Sequence, residues 1–508
     1  MPLRQRGIAL LGLLALISVM VIFAYVSGLN RSASSMTRAR EQQTAIALAR
    51  AKEALIAYAV TYADDTTRAN LVPGYLPCPE MAVAAGKEGV ATGPSCDGPL
   101  ISQLGRLPWR TLDLGPVMDG SNECLWYAVS GTYKSWFNGV TTNATSNMMN
   151  WDTNGQFEVK AGDGTTYLAG SAEDNRAVAV IFAPGAPLSG QNRTPDANAP
   201  LCAGNYTAAN YLETAAGVDN STVSTSADAI DTFIAGAKSD SFNDQLVYIT
   251  RAEIWSAIKK RTDFKDHLRA LARRATECTK LYGAHNSPLY DKVLPWASNV
   301  SLSTSSIPTY AVNSEYDDKV NIMSGRLSYR VNTSQSASGN DLDTFDSNKY
   351  IFTNSSYCAY TPEQQVWYDN WKDHLFYAVA NSFKPTAWWG SSCGTCLTIN
   401  GGGNYAAVVI FAGEKLSAPS PNPSQSRNSA YDRSLEINYL EDPNRASIAA
   451  DTGSGNYKAA ATDSTFNDIV YGIDSSLNVK CYNGTSMVSV PAAAVAPPGP
   501  TGPYAACP

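Results

Sequence analysis

Histidine is scarce: His267, His285 and His374 are the only three in 508 residues, and none sits beside a recognisable partner motif. Each is expected to be a surface or packing residue, because general acid–base or metal chemistry needs convergent groups around the imidazole. No GxSxG elbow, HExxH helix or phosphate-binding loop occurs, which removes the commonest hydrolase, zinc-protease and nucleotide-binding readings. Gly401-Gly402-Gly403 lacks the Rossmann spacing and reads as a turn before a strand. Charge is also thin, at 16% of residues with a net charge of −7 and no Lys/Arg-rich tract. No nucleic-acid partner relying on a broad basic face is expected. With no catalytic residues and no cofactor legible, the expectation is that the chain is not an enzyme.

What is abundant points to export. The polar residues are mainly Ser, Thr, Asn and Gly, with 27 tyrosines and 10 tryptophans, a balance common in β-rich surface proteins. The length is enough for at least two globular units. Ten cysteines lie beyond residue 77, an even number compatible with an oxidising compartment. Cys393-Gly-Thr-Cys396 has the spacing of a structural bridge, a redox pair or half a zinc site, and no second ligand pair favours zinc. A structural disulfide is the expectation. Cys481 and Cys507 bracket a Pro/Ala-rich tail and are expected to close it, and Cys78 with Cys96 is the next expected pair.

The opening MPLRQRGIALLGLLALISVMVIFAYVSGLN places Arg4 and Arg6 before a run, Ile8 to Ser27, without a charged residue. That run exceeds a secretory h-region and suffices to span a bilayer as a helix. The basic flank puts the N-terminus in the cytoplasm and the remainder outside. From Ser32 to about Asp64 there is no Gly or Pro, and Leu48, Ala51, Leu55, Tyr58 and Tyr62 recur at helical spacing. One rod from Ile8 to Asp64 would measure roughly 85 Å, half of it in lipid and half laid along a globular head.

A short basic leader ending in Arg6-Gly7, an apolar helix that turns amphipathic and a cysteine-containing head resemble the type IV pilins and the pseudopilins of type II secretion. The resemblance implies cleavage by a prepilin peptidase after Gly7, methylation of Ile8, residence in the inner membrane with the head in the periplasm, and packing against other pilins or pseudopilins through the N-terminal helix. The family's glutamate at the fifth mature position is replaced by Gly12. That departure resembles minor pilins and the tip pseudopilin, whose subunits have no neighbour above them needing the carboxylate.

The remainder repeats itself. VAVIFAPGAPLSGQNR at 178–193 resembles AVVIFAGEKLSAPSPNPSQSR at 407–427; NYLE occurs at 210–213 and 438–441; SFNDQLVY at 241–248 resembles TFNDIVY at 465–471; LWYAVS at 125–130 matches LFYAVAN at 375–381. Collinear matches identify a tandem duplication. The runs are short, β-branched or aromatic and bounded by turn residues, as strands are. Asn154-Gly155 and Asp163-Gly164 suggest an additional hairpin. Residues 251–283 read as a helix joining the copies, its later half repeating the head-facing part of the first helix. Asn243-Asp244 and Asn467-Asp468 read as turn caps.

The expected fold is therefore α+β: a long N-terminal membrane-spanning helix followed by two duplicated pilin-like heads, each a helix packed on an antiparallel sheet. The expected divisions are a leader at 1–7, a transmembrane or filament-core helix at 8–28, its amphipathic continuation at 29–64, a first head at 65–258, a second at 259–480 and a tail at 481–508. The expected function is that of a non-enzymatic minor pilin or tip pseudopilin, with a filament-tip adhesin or an anchored hydrolase as rivals. Because the tip pseudopilin family binds calcium, Asp341, Asp343, Asp346 and Asn348 are candidate calcium ligands, although the run lacks the glycine and terminal glutamate of an EF-hand. Trp388 and Trp389 are the candidate adhesive pair.

Overall fold

The computed structural model describes residues 35–68, 72–82, 86–93, 96, 98, 100–134, 148–285, 292–301, 313–331, 353–354, 358–385, 393–417 and 424–490. Helix α1 (35–60) is free of Gly and Pro and buries one stripe, Ala47, Leu48, Ala51, Leu55 and Ala59, before a short 3-10 turn at Tyr62–Asp64 ends it. Its first turns are exposed, and Met36 and Ile46 present 59% and 60% of their surface to solvent.

The first sheet contains β1 (Gln103–Arg106), β2 (Trp126–Val129), β3 (Phe157–Ala161), β4 (Tyr167–Ala169) and β5 (Ala177–Ala183). After the small hairpin of β6 (Thr214–Ala215) and β7 (Val218–Asp219), the chain returns to it as β8 (Asp231–Ala235) and β9 (Gln245–Thr250). Strand β5 is buried at all seven positions and lies between β2 and β9, so its continuous apolar run is what a strand covered on both faces requires. β3 meets β5 only at Phe157–Ala177 and carries β4 antiparallel and β8 parallel.

Helices α2 (Arg251–Ile258) and α3 (Thr262–His285) lead to the second half. Thr250 caps α2, its Oγ1 accepting from the Glu253 amide while the Glu253 carboxylate accepts from the Thr250 amide, a reciprocal cap that satisfies two end donors. The second sheet contains β10 (Ser324–Arg326), then, after the two-stranded β11 (Thr353–Asn354) and β12 (Cys358–Ala359) and helix α4 (Pro362–Trp371), β13 (Leu375–Val379), β14 (Leu397–Ile399) and β15 (Gly402–Phe411). Short helices α5 (Ala430–Arg433) and α6 (Asn444–Ala450) and strand β16 (Asn456–Tyr457) precede β17 (Ile469–Asp474), β18 (Val479–Tyr482) and β19 (Met487–Ser489). The order is β10-β13-β15-β17-β18-β19, with β14 beside β15 and β16 parallel to β14. Helix α3 packs on β15, β17 and β18.

The central strands of the two sheets correspond, β1, β2, β5 and β9 matching β10, β13, β15 and β17. Gly105 faces Tyr127 in β1–β2 as Gly325 faces Tyr377 in β10–β13, and Ile181 lies between Tyr127 and Val247 as Val409 lies between Tyr377 and Tyr471. The buried Leu48, Ala51, Leu55 and Tyr62 recur at the same spacing as Leu268, Leu271, Ala275 and Tyr282 in α3.

Three sequence expectations are corrected. Among the described residues no helix is long and apolar enough to cross a membrane. The membrane-spanning helix expected over 8–28, and the single-pass inner-membrane location with a periplasmic head drawn from it, fall with that finding; residues 8–28 themselves lie outside the described residues. The described helix carries Arg38, Arg40, Glu41, Arg50, Lys52 and Glu53, charges that suit water and a protein surface. The architecture is an α+β mix of several sheets with two parallel pairings, where purely antiparallel heads were expected. The hairpin forms only at Asp163-Gly164; Gly155 instead lets the backbone pass Ala177, whose carbonyl oxygen would lie 2.2 Å from an added Cβ.

Candidate functional site: a buried polar network that occurs twice

The repeated strings GQNR/SQSR, NYLE and FND converge behind each sheet. Gln191 accepts from the Leu188 amide at 2.9 Å and donates to Glu213 at 2.7 Å; Gln425 accepts from the Leu416 amide at 2.9 Å and donates to Glu441 at 3.0 Å. Arg193 donates through Nε to the Asn210 carbonyl and through Nη1 to the Gly185 carbonyl, both at 2.8 Å; Arg427 does the same to Asn438 at 2.6 Å and Gly413 at 3.0 Å. Each guanidinium lies over the tyrosine of NYLE, Arg193 at 4.7 Å from the Tyr211 ring and Arg427 at 4.3 Å from Tyr439.

The glutamate of NYLE then meets the aspartate of FND. Glu213 Oε2 accepts from the Asn243 amide at 2.9 Å, as Glu441 Oε2 accepts from Asn467 at 3.0 Å. In return Asp244 Oδ2 accepts from the Glu213 amide at 2.9 Å and from Asn220 Nδ2 at 3.0 Å; Asp468 Oδ2 accepts from Asn444 Nδ2 at 2.9 Å. The two asparagines also each donate to a backbone carbonyl and accept the same residue's amide, that of Ile234 in β8 and of Lys458 just after β16 respectively. These aspartates do more than cap turns: they tie three chain segments together in both halves.

Two carboxyls so placed repel each other when both are ionised. Burial pushes Asp244 up to about 8, with the Glu213 carboxylate adding to the effect; burial, then Glu441, pushes Asp468 well above the usual range, and burial raises Glu441 as well. Ionising both members of either pair is thus opposed by burial and by the neighbouring carboxyl.

The halves differ at one corner. In the first, Glu123 pairs with Arg193 at 3.1 Å and the next residue, Cys124, is bridged to Cys202. By strand register the equivalent residues in the second half are Asp373 and His374. His374 is fully buried, its Nδ1 2.8 Å from Asp373, and Asp373 accepts from Arg433 at 2.6 Å. The opposite side of the imidazole is closed by the first half: Trp151 Nε1 donates to His374 Nε2 at 3.0 Å, and Asp152 Oδ2 lies 3.0 Å from both His374 Nε2 and Arg427 Nη1. Just before it, Met149 donates its amide to Asn370 Oδ1 at 2.7 Å and Asn150 donates to the Asn370 carbonyl at 2.8 Å. Residues 149–152 thus plug the second half. Burial works to raise the pKa values of Asp152 and Asp373, but Arg427 and His374 around the first, and His374 and Arg433 around the second, outweigh it and hold both carboxyls low. Lys372, also buried, is pushed down to about 8 by desolvation.

Of the residues singled out in the sequence, Cys78 is bonded to Cys96 and Cys393 to Cys396; Cys124–Cys202 and Cys278–Cys358 are two further bridges. The Cys393–Cys396 pair is flanked by Ser382, whose hydroxyl joins the Thr395 backbone at both ends. Cys481 is buried on β18, and its expected partner Cys507 lies outside the described residues. Arg6, Gly7 and Ile8, the acidic run Asp341, Asp343, Asp346 and Asn348, and Trp388 and Trp389 also lie outside them. His267 stacks on Trp367 at 4.7 Å, and burial lowers its pKa. His374, expected to be a packing residue, is the centre of the charged corner. Among the described residues no group of three or more His, Cys, Asp and Glu side chains is placed to hold a metal. The polar sets around the two carboxyl pairs and His374 are buried or half-buried and join structural elements, an arrangement suited to holding a shape. Set against protein-family models, curated proteins and solved structures, the chain matches none of them.

Proposed function

We propose that the chain is a non-enzymatic subunit of a type IV-like filament, a minor pilin or tip pseudopilin that meets its neighbours through its N-terminal helix. The observation that carries the reading is the two-sided character of α1. Its C-terminal half is sunk into the first sheet through Leu48, Ala51 and Leu55, while Met36 and Ile46 stand exposed, large apolar side chains that a neighbouring helix would cover. The leader Arg6-Gly7-Ile8 supports the same reading, and so does the use of the polar clusters for internal ties. N-terminal mass spectrometry of the protein from cells tests it: a chain beginning at methylated Ile8 is expected, the product of a prepilin peptidase. A start near residue 25, or an intact Met1, would overturn it.

A further inference from the structure

Buried carboxylates ordinarily have every oxygen satisfied, because desolvating an unpaired one is costly. Asp244 and Asp468 are 2% and 3% exposed, and in each the Oδ2 atom takes the available donors while Oδ1 has no hydrogen-bond partner among the described residues. The same atom is orphaned in both halves, so the feature belongs to the repeated design and is not a local accident of one loop. In each half the orphaned oxygen belongs to the aspartate directly after the asparagine whose amide the NYLE glutamate accepts, so two buried carboxyls meet at one turn. Two ionised carboxylates would leave Oδ1 bare and repelled. A single proton on one of them turns the contact into an O–H···O bond and satisfies the orphan.

We infer that each half keeps one proton between its paired carboxyls, Glu213–Asp244 and Glu441–Asp468, and that this shared proton latches the loop ending in NYLE onto the FND turn. The surrounding charges fit. On the first pair's side stand Arg193, engaged with Glu123 and Gln191, and Asp119, which accepts from the Gly185 amide. On the second stand Arg427, engaged with Asp152, and the Asp442–Arg445 pair. Neither arginine donates to the paired carboxyls directly; the neutral Gln191 and Gln425 intervene. The pairs are left to neutralise themselves with a proton. The latch closes in neutral or acidic medium and loosens as the proton is withdrawn.

The full-length, disulfide-intact protein tests this. In the unfolded chain both aspartates ionise near pH 4, so unfolding at pH 7 should release close to two protons, measured by pH indicator in weakly buffered solution. His267, buried neutral, takes back only a fraction of one. The double variant Asp244→Asn, Asp468→Asn, isosteric with the protonated acids, should release close to two protons fewer than the wild type. Over pH 6.5 to 8 the unfolding constant of the wild type should rise, relative to that of the double variant, by up to about tenfold per pH unit for each retained proton; His267 and Lys372, which take up protons on unfolding in this range, are common to both proteins and cancel in the comparison. Should the variant not fold, infrared spectroscopy of the wild type serves: a protonated-carboxyl carbonyl band at pH 7 that disappears on alkaline titration is expected. Its absence at pH 7, or equal proton release by wild type and variant, would overturn the inference. So would a stabilisation of the wild type by added calcium that the double variant loses, since the orphaned oxygens would then belong to a cation.

Discussion

Replacing Asp152 by alanine should weaken the second half of the molecule although the residue belongs to the first. The side chain is 7% exposed and its Oδ2 lies 3.0 Å from Arg427 Nη1, whose own side chain is 1% exposed. Without the carboxylate, Arg427 is left with the carbonyls of Gly413 and Asn438, the Gln425 amide oxygen and the His374 ring nitrogen, none of which carries a negative charge. Breaking one side of a buried ion pair costs about 3–5 kcal/mol, because the remaining charge is left desolvated and uncompensated. Two such halves need not unfold as one transition, so the effect is best read locally, by hydrogen exchange of the β13, β15 and β17 amides. At about 1.4 kcal/mol per decade, exchange there should accelerate at least a hundredfold, with the β1, β2 and β5 amides much less affected. The acid dependence has a definite sign. Asp152 and Asp373 have lowered pKa values in the folded protein, so their contribution is present above the unfolded value near 4 and is lost as pH falls below it. D152A should therefore be closer to the wild type at pH 2.5 than at pH 7. Acceleration of less than about fivefold at pH 7, or an equal effect in both sheets, would refute the reasoning.

Ile46→Asp should leave the melting temperature within about a degree, since exposed substitutions usually change stability by less than ~0.5 kcal/mol; co-purification with filaments should nonetheless fall sharply. Leu55→Ala, at a fully buried position of α1, should cost about 2–5 kcal/mol, seen as a lower denaturation midpoint. Tyr127→Phe and Tyr377→Phe remove matching hydroxyl bonds to the Pro77 and Pro295 carbonyls, at 3.2 and 3.0 Å; each should cost about 1 kcal/mol, and the two losses should be nearly equal. Gly105→Ala and Gly325→Ala would drive a methyl group to 2.6 Å from the Glu80 carbonyl and 2.0 Å from the Ser298 carbonyl, so both should lower thermal stability, by about 1–3 kcal/mol or more.

Local periodicity made part of this legible. Leu48, Ala51, Leu55 and Tyr62 are buried as their spacing in the sequence requires, and the VIF runs became β5 and β15, the central strands. The repeated words NYLE and FND were visible as words, but their meaning was not: Glu213 and Asp244 stand 31 residues apart and meet only when β9 is laid beside β5. His374 was harder still, because Asp152 approaches it from 222 residues away, on a segment with no counterpart string in the other half. Asn154-Gly155 misled for a related reason: the pair has hairpin chemistry, yet the glycine is needed for the passage of another strand.

At equivalent corners, one half is fastened by the sulfur bridge Cys124–Cys202 and the other by the Asp152–Arg427 and Asp373–Arg433 ion pairs on either side of His374. Of these two fastenings, a thiol reductant cuts only the bridge and strong acid discharges only the ion pairs. Reduction should therefore release the Cys124 corner while the His374 corner stays tied, and strong acid should release the His374 corner while the Cys124 corner stays covalently closed, in a molecule whose sequence looks like the same thing said twice.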